Sequence, residues 1–100
     1  MSVYVDDMYR SPTGGFGRMK MSHLIADTHA ELMAMVDRIG VAQKWIQQVG
    51  TYGEHFDICV SRRSKAVAAG AIEISMRELA MKTWERKGLE GKARYLGRGR

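Results

Sequence analysis

The chain has 100 residues, 45% apolar and 27% charged, a net charge of +5 and one cysteine, Cys59. That size holds one hydrophobic core, and the composition excludes a disordered chain, a disulfide-stapled scaffold and a multi-cysteine zinc module. No apolar run approaches the roughly 20 residues of a membrane span, and no basic-then-apolar leader opens the sequence, so a cytoplasmic protein without membrane attachment is expected.

Residues 2–6 read as a strand in which Val3 and Val5 alternate with Ser2 and Tyr4, ending at Asp6 and Asp7. Ser11-Pro12-Thr13-Gly14-Gly15-Phe16-Gly17 concentrates turn chemistry and predicts a loop. From Arg18 to Ile25 alternation resumes, with Arg18, Lys20 and Ser22 on one side and Met19, Met21 and His23 on the other. His23 is thereby placed on the apolar side of a second strand. Thr28-His29-Ala30-Glu31 matches a capping box and opens a helix. Leu32, Met35, Val36 and Ile39 form its buried stripe, and Gly40 stops it. Val41–Val49, which contains Trp45, predicts a third strand before a turn through Gly50 and Gly53.

His55-Phe56-Asp57-Ile58-Cys59-Val60 predicts the fourth strand, and its period of two separates His55 and Asp57 from Phe56, Ile58 and Val60. Between apolar neighbours, Cys59 reads as a buried, inert thiol. Ser61 is placed to cap a short helix ending at Gly70. Ala71–Ser75 predicts a fifth strand with Ile72 and Ile74 inward, and Ser75-Met76-Arg77-Glu78 is a second capping box opening a helix to about Trp84.

The order β-β-α-β-β-α-β-α predicts a single α/β or α+β domain over residues 1–85, a short mixed sheet with about three helices packed on it. Ten basic and ten acidic residues balance one another over residues 1–85, while residues 86–100 carry six basic residues and Glu90 alone. With four glycines there, a flexible basic tail is expected, which attracts phosphates or solubilises the chain.

Asp6, His23, His55 and Asp57 are the candidate chemical residues, because carboxylates and imidazoles at strand ends bind a divalent metal or act as acid and base. Asp6, His23 and Asp57 are the candidate metal ligands and His55 a proton carrier. Ser61, Arg62 and Arg63 stand in a predicted first turn, where the helix dipole disfavours cations, so they are the candidate phosphate clamp. No Walker-type loop or dinucleotide fingerprint is present.

Val3-Tyr4-Val5-Asp6-Asp7-Met8, His23-Leu24-Ile25-Ala26-Asp27, Glu31-Leu32, Ile39-Gly40-Val41-Ala42, His55-Phe56-Asp57-Ile58-Cys59 and Ala66-Val67-Ala68-Ala69-Gly70-Ala71 resemble domain-of-unknown-function family 4031 over roughly residues 3–78. The resemblance implies a small phage or bacterial protein and emphasises Asp6, His23, Asp27, His55 and Asp57. Relatives often carry a tyrosine where this chain has Phe56 and a histidine where it has Met33, and the lost histidine counts against a metal or catalytic role. The leading expectation is a protein that binds a phosphate-bearing ligand, nucleotide or nucleic acid in a polar Asp/His cleft with a divalent metal. If it is an enzyme, it is a metal-assisted phosphoester hydrolase. The rival expectation is a non-enzymatic protein that grips a host protein through methionines, aromatics and the basic tail.

Overall fold

Met19–Ala26, eight residues, is the longest strand, and the sheet is assembled around it. The computed structural model describes residues 2–12, 15–16 and 19–98, with backbone alone for 15–16 and 89–98. Along the chain run β1 (Val3–Val5), β2 (Gly15–Phe16), β3 (Met19–Ala26), α1 (His29–Ile39), β4 (Phe56–Cys59), α2 (Val60–Ala68), β5 (Ile72–Glu73) and α3 (Met76–Arg98). The mixed sheet has the order β4-β3-β1-β5, with β3 antiparallel to both neighbours and β1 parallel to β5. A two-residue rung, β2, pairs with the start of β3. This is the small α+β domain with three helices that the alternating pattern predicts.

Strand register decides what each face carries. Val5 pairs with Leu24, and Leu24 with Phe56, so these side chains share one face and pack with Leu32, Val36 and Ile39 of α1 and Ala66 of α2. Burying each large apolar side chain contributes about 1.5–3 kcal/mol. On the opposite face Tyr4 pairs with Ile25, and His23 with Asp57.

Local signals set the ends of α1. Thr28 Oγ1 accepts from the Glu31 backbone N–H at 3.2 Å, and Gly40 closes the helix with φ of 78°, a left-handed conformation that favours glycine. At the start of α3, Ser75 and Glu78 exchange reciprocal bonds of 3.1 Å as the capping box requires.

Several expectations are corrected. Val41–Val49 is not a strand: Gln43–Trp45 form a single 3-10 turn, and only Gln47 makes a β-bridge, to His55. Trp45 and Val49 are exposed there while Val41 and Ile46 pack against the core, so burial does not follow a two-residue period. The cap of α2 is Cys59, two residues earlier than Ser61, because β4 passes into the helix without a loop. Cys59 is only partly buried and its thiol is held below its usual value, chiefly by the Ser61 hydroxyl 3.2 Å away. Ile72 is 46% exposed on a two-residue edge strand rather than inward.

Two further corrections concern β3 and α3. Ser22, not His23, lies on the core face, where it is buried beside Leu24. Its hydroxyl accepts from the Tyr9 backbone N–H, which removes the cost of its burial. Beyond Trp84, α3 continues to Arg98, since Leu, Lys, Arg, Glu and Ala between the glycines favour a helix and each glycine costs only about 1 kcal/mol. Thr13, Gly14, Gly17 and Arg18 of the expected loop and strand start, with Gly99 and Arg100 of the tail, lie outside the described residues. No helix among the described residues is long and apolar enough to cross a membrane.

Candidate metal centre

The His23–Asp57 rung of the β3–β4 pair and the Gln47–His55 bridge beside it bring three side chains of the open sheet face together. His23, His55 and Asp57 each offer one ligand atom, and these atoms lie within 4.8 Å of one another. The two imidazoles meet edge to face with ring centroids 5.3 Å apart.

Hydrogen bonds fix which nitrogen each ring presents. His55 Nδ1 is 2.6 Å from the carbonyl oxygen of Gly53, which can only accept, so Nδ1 carries a proton and Nε2 holds the lone pair. His23 Nδ1 is 2.7 Å from Asp6 Oδ2, a contact that likewise turns Nε2 outward. Asp6 is fully buried, and its Oδ1 accepts from the backbone N–H groups of His23 at 2.8 Å and Met8 at 3.2 Å. Burial pushes the Asp6 carboxyl up, but bonds from the His23 ring and backbone outweigh it and hold the group below its ordinary value. In return, the Asp6 hydrogen bond raises His23 above its usual value against the opposing effect of burial.

Asp57 completes the arrangement. Its Oδ2 accepts from Gln47 Nε2 at 2.6 Å, whereas Oδ1 is buried without a hydrogen-bond partner, alone in this among the described side chains. That oxygen lies 3.7 Å from His23 Nε2 and 3.6 Å from His55 Nε2, beyond hydrogen-bond length. Ligand atoms about 2.0–2.1 Å from a tetrahedral ion stand roughly 3.3 Å apart. The carboxylate oxygen stands a few tenths of an ångström beyond that spacing from each ring nitrogen, so an ion would draw the carboxylate and the two rings together. Two imidazoles and one carboxylate leave coordination positions open, and an acceptor behind each Nδ1 is how metal-binding histidines are oriented.

A cavity of about 300 Å³ opens over the two histidines, bounded by Ile25, Gln48, Tyr52 and Gly53 and roofed by Leu79 and Thr83 of α3. A Cβ at Gly53 would meet the end of the Gln48 side chain, which would have to swing aside.

Of the residues singled out from sequence, His23, His55 and Asp57 converge. Asp6 stands behind His23 with both oxygens engaged, so it positions the ring and does not face the opening. Asp27 Oδ2 holds the Ser2 backbone N–H at 2.8 Å, and the Glu31 carboxylate accepts from the hydroxyl of the cap residue Thr28 at 2.8 Å.

Ser61, Arg62 and Arg63 are not brought to this opening. Arg62 donates to the Ile39 carbonyl at 2.9 Å. Arg63 is buried, donating to the Asp6 carbonyl and to Glu73 Oε1, both at 2.9 Å, with Tyr9 stacked 4.8 Å from its guanidinium. These contacts offset the charge that the helix dipole disfavours.

Neither departure from the family pattern touches the cluster, for Phe56 is fully buried and Met33 packs against the core. Gln47, Gly53, Tyr52 and Thr83 were not evident as site residues. The turn glycines before His55 were the available signal for the first two, and α3 carries none for Thr83 before its docking is known.

In comparison with known proteins, a family model described as Protein of unknown function (DUF4031) matches residues 3–86. No curated protein and no solved structure matches the chain.

Proposed function

We propose that this chain, which belongs to the DUF4031 family, binds a divalent transition metal through His23 Nε2, His55 Nε2 and Asp57 Oδ1 and takes a phosphate-bearing ligand at the open positions. The carrying observation is the buried, unpartnered Asp57 Oδ1 facing two imidazoles whose other nitrogens are already occupied. A lone buried carboxylate oxygen costs roughly 1–3 kcal/mol or more, and a cation in that gap removes the cost. Nitrogen-rich donors favour zinc, iron or their neighbours over magnesium or calcium.

A bound ion polarises phosphoryl oxygens and lowers the pKa of a coordinated water. Phosphoester hydrolysis is the reaction class that this chemistry supports. Around the opening the chain supplies the Thr83 hydroxyl, the Tyr52 phenol and the Gln48 amide as hydrogen-bonding groups. Cytoplasmic residence accords with the single free thiol, Cys59.

Isothermal calorimetry of metal-free protein with zinc tests the reading. One ion per chain is expected, lost in His55→Ala and in Asp57→Asn; stoichiometric binding retained by both variants would refute it. A second reading, a grip on a host protein through exposed Met76, Met81 and Trp84 of α3, requires no such ion.

A further inference from the structure

Beside the metal cleft, α3 exposes a combination of groups that the cluster does not use. Trp84 is 67% exposed and Tyr52 36% exposed. Lys87 stands against both, its Nζ 4.8 Å from the Trp84 ring centre and 5.8 Å from that of Tyr52. Between them lies an open cavity of about 260 Å³, which Tyr52 and Thr83 also border on the metal side. The two cavities thus adjoin through shared walls.

The charge of the chain points the same way. Residues 1–75 hold eight basic and eight acidic residues, whereas residues 76–98 hold seven basic and three acidic. The helix that carries Trp84 therefore carries nearly all of the positive excess.

We infer that Trp84 and Tyr52 form a stacking subsite for a base of single-stranded nucleic acid, with Lys87 holding its phosphate and the strand leading into the His23–His55–Asp57 cleft. The proposal deepens the metal reading by naming its ligand class, and it depends on that reading for chemistry but not for binding. Exposed aromatic faces beside cations suit unpaired bases and their backbone together, while a duplex keeps its bases inside the stack. At about 1.5 Å per residue, the 23 residues of α3 extend roughly 35 Å, a length suited to a strand rather than a single nucleotide.

The test uses full-length protein in EDTA at low salt, so that no metal contributes. In a Trp45→Phe variant Trp84 is the remaining tryptophan of two, and a ten-nucleotide oligothymidylate is expected to quench its fluorescence saturably. Anisotropy with the labelled oligonucleotide should show affinity falling roughly five- to 150-fold in Trp84→Leu, from stacking of about 1–3 kcal/mol per base. The slope of log affinity against log salt should fall by about 0.7 in Lys87→Gln. Circular dichroism of both variants establishes that they fold, as expected for exposed positions.

Unchanged affinity in Trp84→Leu, equal affinity for a duplex of the same length, or no binding by the wild type would each overturn the proposal. Running the same titration on His55→Ala separates the two readings. Oligonucleotide binding retained there without zinc binding by the wild type would discard the metal and keep the subsite, and the converse would discard the subsite alone.

Discussion

Asp6 joins folding and chemistry in one side chain, because one oxygen holds the β1–β3 junction through two backbone N–H groups while the other holds the His23 ring. Asp6→Asn is expected to cost about 1–3 kcal/mol in urea denaturation, the range for disturbing a buried hydrogen-bonded group. It should also weaken zinc binding about 10–100-fold by calorimetry, since the orienting acceptor of a ligand histidine is altered. The pair makes the metal-free protein pH-sensitive at both ends. The Asp6 share of stability is present above the carboxyl's ordinary value of 3.8 and is lost as pH falls through its lowered folded value. The His23 share is complete below the ordinary value of 6.5 and is lost as pH rises through its raised folded value. Urea midpoints of wild type and Asp6→Asn in EDTA should therefore differ most between pH 4 and 6.5, the gap narrowing on the alkaline side to the share that the backbone N–H bonds to Asp6 keep. Zinc affinity should instead rise with pH, because the ion displaces the proton from His23 Nε2.

At the scale of elements, the stops and starts are the most legible part of the chain. Thr28, Gly40, Ser75 and Glu78 perform the roles their spacing predicts, because caps depend on three or four neighbouring residues and little else. Gly40→Ala combines a left-handed backbone with a Cβ placed 3.1 Å from Arg62 Nη1, the group that caps the Ile39 carbonyl. It is expected to destabilise the protein by about 1–2 kcal/mol in thermal melts, more than an alanine at an exposed helix position. Less legible were the elements decided by distant partners. The Val41–Val49 alternation lacks a neighbouring strand to complete it, so it contributes one bridge. Met19 and Met21 read as a core stripe and so put His23 on the wrong face, whereas the sheet buries Ser22, Leu24 and Ala26. The His55–Asp57 face was legible because Phe56 and Ile58 leave no other side for it.

Across the whole molecule, the sheet divides packing from reactivity, with α1 and α2 on one side and the histidine pair under α3 on the other. Saturating metal should stabilise the fold by mass action, about 2.7 kcal/mol at a concentration 100 times Kd. A melting-temperature rise of several degrees in zinc, reversed by EDTA and absent in His55→Ala, is the expected outcome. Arg63 links α2, the end of β1 and β5 through the Asp6 carbonyl and Glu73. Arg63→Met should lower the melting temperature without changing zinc affinity, which would separate its buried structural contacts from the phosphate role its sequence position suggested. Eight residues of β3 serve both sides of the molecule on alternate positions, and this bears on how the protein can change over generations. Replacing His55 leaves the interior untouched, so a lineage released from the need for the ion can shed that imidazole and remain folded. Asp6 and His23 offer no such freedom, since losing either leaves the buried bond between them unmade, and a descendant that has lost His55 is expected to keep the pair as the trace of what the cleft once held.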